Sequence, residues 1–299
     1  MSSNIGILLI GFNRSEVLIE NYKELIKFWG GPFIVMIDGP RKDNKRDERE
    51  QEIIVDYFQN RNNVALLVNT ENLGCAKGVN HAISYAFSIY EGLFIIEDDC
   101  YVNPNWINAV LHYVNDRDLK SDKILIGSDC KFKDPSELKF YYNESPLIWG
   151  WFDNRKVWDL HQPVYKDEEK IRITLNLDLN FFIKYGNLYR LFNADYIDTW
   201  DYTFKASMLK NSIKMMCFNK SFVKNIGHEN ATHKTIDSKG LLTQEIFYIN
   251  NLTESQSAIF KHRLSDYYSV KSIIQALLTY SLLKISRKLV KYNLKKINK

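Results

Sequence analysis

Four short apolar runs punctuate the first third of the chain: Ile5–Ile10, Phe33–Ile37, Val64–Val68 and Gly92–Ile96. They are continuous rather than alternating, the pattern of strands covered on both faces. Between them the apolar spacing turns helical. Leu18, Ile19, Tyr22, Leu25, Ile26 and Trp29 follow Ser15, a natural N-cap, and Pro32 ends that stretch. A charged segment carries Ile53, Ile54, Tyr57 and Phe58, and a third helix opens at Lys77-Gly78-Val79 and runs through Phe87. This strand–helix alternation predicts a doubly wound, mostly parallel α/β sheet flanked by helices, with right-handed crossovers.

The second half is less regular. A helix is expected from Asn105 to about Leu119, then a short strand at Ile124–Gly127. Residues 128–146 are polar and turn-rich, and read as a loop. Residues 165–195 read as helical, and Asp198 as the N-cap of a helix reaching Leu209. Ile213–Cys217 and Ser221–Asn225 look like two strands paired with each other. Beyond Gly240 there is neither proline nor glycine. Ile274, Leu278, Ser281, Ile285, Leu289 and Tyr292 form a helical stripe there, with lysines and arginines over the other faces. The expected division is 1–240 as one domain, in halves 1–110 and 111–240, and 241–299 as a helical, basic extension.

Composition narrows the class. The chain has 299 residues, 45% hydrophobic and 25% charged, enough for a sizeable core. Its net charge of +4 is unevenly placed. Residues 241–299 carry ten Lys/Arg against three Asp/Glu, so the rest is slightly acidic and bulk nucleic-acid binding is not indicated. A basic amphipathic tail fits an anionic membrane surface, as well as packing on the domain or on a partner. Cys75, Cys100, Cys130 and Cys217 show no Cys-x-x-Cys spacing, so neither zinc nor a disulfide framework is suggested. No secretory leader is evident at Met1, and the expected location is the cytoplasm, peripheral on the inner face of the cell membrane.

The chemistry collects at the strand ends. The fourth run stops in Glu97-Asp98-Asp99, three adjacent carboxylates that raise one another's pKa unless a cation sits among them. A hard divalent ion, Mn2+ or Mg2+, suits oxygen ligands of that kind. Acidic residues after a strand also cap helices or face water. Asn13-Arg14, Asp38, Asn72 and Lys77 end or follow the other three runs, and would meet the triplet on one edge of a parallel sheet, where ligands of such sheets bind. An aspartate there could bond a ribose or base, and Arg14 and Lys77 could neutralise a diphosphate. Neither Gly-x-x-x-x-Gly-Lys-Ser/Thr nor Gly-x-Gly-x-x-Gly is present, which argues against a P-loop or a dinucleotide site. Trp149-Gly150-Trp151 could be a platform for a sugar face or ordinary aromatic core. Asp201, near a helix start, could be a general base or a surface partner of Lys205.

Ile-Gly-Phe-Asn-Arg, Ile-Asp-Gly-Pro-Arg, Asn-Leu-Gly-Cys-Ala-Lys-Gly and Ile-Ile-Glu-Asp-Asp, in this order, resemble the successive motifs of GT-A-fold (Rossmann-like) glycosyltransferases. The likeness is to bacterial family-2-type enzymes, and the Glu-Asp-Asp triplet also resembles that of N-acetylglucosaminyltransferase I. It covers roughly residues 5 to 235. The resemblance implies a nucleotide-sugar donor, by family frequency a UDP-sugar, and a divalent metal. It implies that Asp38 contacts the nucleoside, Glu97 and Asp98 the ribose or donor sugar, and Asp99 the metal. It implies a Trp-Gly-Trp segment between donor and acceptor, a base in the Trp200-Asp201 segment with Asp198 as the other candidate, and a histidine, His228 or His233, near metal or diphosphate. The implied reaction is inverting transfer to a glycan or lipid-linked acceptor in cell-surface polysaccharide synthesis. A sugar-1-phosphate nucleotidyltransferase and a membrane-associated carbohydrate-binding protein are the alternatives.

Overall fold

The computed structural model describes residues 4–129, 140–143, 146–161 and 200–226. Asp198, His228, His233, the expected helices over 165–195 and the basic extension 241–299 lie outside the described residues. Four strands, β1 (Ile5–Gly11), β2 (Phe33–Ile37), β3 (Val64–Val68) and β4 (Gly92–Glu97), alternate with helices α1 (Ser15–Leu25), α2 (Lys45–Phe58) and α3 (Gly74–Ile89). After β4 come β5 (Cys100–Val102), α4 (Asn105–Val114), β6 (Leu125–Gly127), β7 (Phe140–Asn143), β8 (Trp151–Asn154) and α5 (Arg155–Trp158). The described chain ends with α6 (Asp201–Lys210), β9 (Met215–Phe218) and β10 (Val223–Asn225).

An eight-stranded sheet has the order β3-β2-β1-β4-β8-β6-β9-β7, and β10 pairs with β5 in a two-stranded sheet. The first four strands are parallel, as the continuous apolar runs predict, with Ile7 opposite both Phe33 and Phe94. β8 then runs antiparallel to β4 and β6. Because side chains alternate along a strand, β1 feeds two cores. Ile5, Ile7 and Leu9 join α1, α2 and α4, while Leu8 and Ile10 join α3, α5 and α6.

Several expectations change. β3 is the sheet edge and only half-buried, although its sequence is as apolar as that of its neighbours. Arg14, not Ser15, occupies the N-cap of α1 and makes no capping bond there; Glu50 accepts the Ser15 N–H from α2 instead. The third helix opens at Gly74, and α4 ends at Val114. The expected loop over 128–146 contains β7. β9 and β10 do not pair with each other: β9 lies between β6 and β7, and β10 crosses to β5. All four residues of β9 are buried, which an interior strand provides and an isolated hairpin does not.

Candidate active site

The carboxyl ends of the parallel strands form one rim. At β2 it is built around Asp38. The Asp38 carboxylate accepts four hydrogen bonds: Asn69 Nδ2 (3.2 Å) and Leu73 N (2.9 Å) on one oxygen, Asn72 Nδ2 (3.3 Å) and Gly74 N (3.0 Å) on the other. It caps α3 and fixes the β3–α3 loop. Asn72 also donates to the Gly39 carbonyl at 2.7 Å. Gly39 is required there, since a Cβ would stand 2.2 Å from the Glu71 carbonyl carbon. Asp38 and Asn72 thus hold each other. Lys77 is exposed in the first turn of α3.

At β1 the loop is held from two sides. Asn13 donates to Asp47 at 2.9 Å. The same fully buried carboxylate accepts Arg41 Nε (2.6 Å) and Nη2 (2.8 Å), and Arg41 lies 5.2 Å from the Phe12 ring. Hydrogen bonds from Arg41, then from Asn13, bring the Asp47 pKa down to about 2. Asp47 was not evident as a site residue, because the first turn of α2 reads as an ordinary charged helix. On the other side, Asp98 accepts Phe12 N (2.7 Å) and Arg14 Nη1 (2.8 Å). Its pKa stays raised, because burial outweighs the Arg14 charge.

β4 ends in the acidic turn. Burial first, then Asp99, Asp98 and Asp201, push the Glu97 carboxyl well above the ordinary value. Trp200 donates its indole N–H to Glu97. The Trp200 ring also stacks on Trp151 at 5.0 Å and 22°. Trp200 therefore carries Asp201, some hundred residues along the chain, to the Glu-Asp-Asp turn. Asp99 is half-buried; its Oδ1 accepts the Cys100 thiol at 3.0 Å, and its carbonyl accepts Ile226 N at 2.8 Å.

The expected platform divides. Trp151 is fully buried against Trp200, so it is a core residue and offers no face to a sugar. β8 alternates, and the register that pairs Trp151 with Ile95 turns this ring into the cluster under α6. Trp149 is half-buried at the same end of the sheet as the acidic turn, and its carbonyl accepts Ser128 Oγ at 2.6 Å. Gly150 between them has φ +73°, and a Cβ would stand 2.9 Å from Val102 and 3.0 Å from Ser128 Oγ.

The donor set fits a divalent cation. Its oxygens are hard, and the carboxylates of Asp98, Asp99 and Asp201 all act on Glu97. Among the described residues no group of three or more His, Cys, Asp or Glu is placed to hold a metal by itself. One or two carboxylates of this kind suit Mg2+ or Mn2+ completed by ligands from outside the protein, rather than a closed protein cage.

The family model described as glycosyl transferase family 2 matches residues 6–212. No curated protein matches the chain. Among solved structures, it is similar to the mannosyltransferase PcManGT from Pyrobaculum calidifontis in complex with GDP-Man and Mn2+. The identity is 11% and the TM-score 0.36, over 52% of this chain and 46% of that one. It is also similar to the inositol-1-phosphate CTP transferase from T. maritima, at 13% identity and TM-score 0.38, over 73% of this chain and 86% of that one. The chain therefore spans less than half the length of the mannosyltransferase.

Proposed function

The chain belongs to glycosyl transferase family 2, and from that premise we propose that it moves a sugar from a nucleotide-sugar donor to an acceptor hydroxyl. The observation that carries this reading is the meeting of Asp201 with the Glu97–Asp99 turn at the carboxyl rim of the sheet. The nucleoside belongs at the β1 and β2 loops, where Asn13, Arg14, Asp38 and Asn72 already hold their backbones in place. The diphosphate lies towards Lys77 and Asp99, and the donor sugar towards Glu97 and Asp98. UDP is the expected leaving group.

Asp99 is the metal ligand in this reading. When bound, Mn2+ or Mg2+ neutralises the charge that develops on the diphosphate. His228 and His233 are the further ligand candidates; Ile226, hydrogen-bonded to Asp99, is two residues from the first of them. Asp201 takes the acceptor proton as the hydroxyl oxygen forms its bond to the anomeric carbon and the bond to the diphosphate oxygen breaks. Trp200 holds that helix start in place, and Asp198 is the second candidate base. One base, with no second nucleophile assigned, means direct displacement with inversion. Trp149 and Gly150 line the acceptor side. A glycan or lipid-linked acceptor fits a basic tail on an anionic inner membrane surface, in cell-surface polysaccharide synthesis.

The test is transfer or hydrolysis of UDP-sugars with Mn2+ or Mg2+. Asp99→Ala and Asp201→Asn should each lower the rate by roughly 10²–10⁴-fold, and EDTA should abolish it. Full activity in both variants, or in EDTA, overturns the assignment. Pyrophosphate release from a nucleoside triphosphate and a sugar phosphate would point to a nucleotidyltransferase instead.

A further inference from the structure

α1 buries an apolar face of Val17, Leu18, Tyr22 and Leu25, and Asn21 lies among them at 2% exposure. A buried amide is costly unless every polar atom is paired. Here both ends are. Asn21 Nδ2 donates to the Cys100 carbonyl at 2.5 Å, and Asn21 Oδ1 accepts the Val102 N–H at 3.2 Å. The two partners are the ends of β5, a three-residue strand that starts immediately after Asp99. On its other edge β5 pairs with β10, Val102 opposite Val223 and Cys100 opposite Asn225. The Asn21 side chain therefore acts as a strand partner on the edge that has none among the described residues.

An apolar residue of similar size would pack on α1 at least as well, since a paired buried amide adds little net stability. It could not fix where the β5 backbone sits. That position sets Asp99, whose next residue is the one clamped.

We infer that Asn21 is a positioning residue: by gripping Cys100 and Val102 it holds the Asp99 carboxylate at the geometry in which a divalent cation and a nucleoside diphosphate bind together. This rests on the functional reading above, in which Asp99 is the metal ligand. Groups that orient a metal ligand typically change metal affinity by about 10- to 100-fold when removed. The Asn21 side chain hydrogen-bonds to neither the loop at Asp38 nor the residues around Asp47, so its loss should act chiefly on the metal-dependent part of binding.

The experiment titrates the full chain with UDP and with GDP by calorimetry, with and without Mn2+. In Asn21→Leu the Mn2+-dependent gain in nucleotide affinity should fall about 10- to 100-fold, with metal-free affinity unchanged. Asn21→Ser removes the clamp without adding bulk or charge; a fall in the same direction is expected, and this variant carries the test should the leucine variant not fold. Phe58→Leu, buried at the end of α2, serves as a variant of lowered stability remote from Asp99 and should keep the full gain. An intact gain in the Asn21 variants, or an equal fall in Phe58→Leu, overturns the inference. A parent that binds neither nucleotide in Mn2+ overturns the functional reading and this inference with it.

Discussion

Asp153 is the side chain whose chemistry the site does not use. It sits in β8 opposite Leu93 and Leu125, fully buried, and neither carboxylate oxygen has a hydrogen bond of good geometry. Burial pushes its pKa well above the ordinary value; the Asn154 backbone N–H offsets this only in part, and the Asp159 charge adds to it. A raised carboxyl pKa means that the folded protein holds a proton which the unfolded chain releases. Stability from this group is therefore full below the ordinary carboxylate pKa of about 4 and declines as pH rises through the folded value. Asp153→Asn removes the titration at nearly constant shape. Denaturant midpoints at pH 5 and pH 8 should show the variant gaining on the parent as pH rises, by roughly 1–3 kcal/mol at the higher pH. A parent that gains on the variant between those pH values would mean that the carboxylate has an ionic partner after all.

Between elements, the restraint that matters most at the β1 and β2 end of the rim is Asp47. From the first turn of α2 it joins the β1–α1 loop through Asn13 to the β2–α2 loop through Arg41. Its pKa is lowered to about 2, so its contribution is complete above the ordinary carboxylate value and is lost as pH falls through about 2. The partner Arg41 is 55% exposed, and solvent weakens the pair. Asp47→Ala should therefore destabilise by roughly 1–2 kcal/mol at neutral pH, and much less near pH 2. Guanidine unfolding at the two pH values checks it; a deficit that persists in acid would mean packing and not charge. This joint was not legible in sequence, where residues 45–50 read as a uniformly charged helix start. The strands were, because β1, β2 and β4 are apolar on both faces, and the acidic triplet stood out against the last of them. Pairing partners were less so. Nothing local tells β10 to cross to β5, and a tryptophan beside a glycine does not declare which face of β8 it takes, so Trp151 read as well for a sugar platform as for core. Trp200 was noticed for its neighbour Asp201, while its own bond to Glu97 depends on contacts that only the folded chain supplies.

The rim draws on residues from Asn13 to Ile226, gathered where the parallel strands end beside the β5–β10 pair, and its carboxylates act against each other in the free protein. Under the proposed function, with Asp99 as the metal ligand, that arrangement makes metal and nucleotide mutually dependent. Asp99 and a neighbour supply too few ligands for a closed site, so Mn2+ alone should bind weakly. The diphosphate alone meets carboxylates of its own sign and should bind weakly too. Together each supplies what the other lacks, and linkage requires that each raise the other's affinity by the same factor. Because binding to the folded state stabilises it by RT ln(1 + [L]/Kd), saturation at about 100 times Kd adds roughly 2.7 kcal/mol. For a domain of this size that is roughly 5–10 °C in Tm. A thermal melt should therefore move little with Mn2+ or UDP separately and by several degrees with both, and EDTA should reverse it. Asp99→Ala should abolish the joint shift, whereas Asp201→Asn should keep most of it, since the proposed mechanism has Asp201 take a proton and not bind the diphosphate. A full shift from Mn2+ alone would mean that the chain closes the metal site without the nucleotide. A full shift from UDP alone would mean that the cation is not what reconciles the diphosphate with the acidic turn.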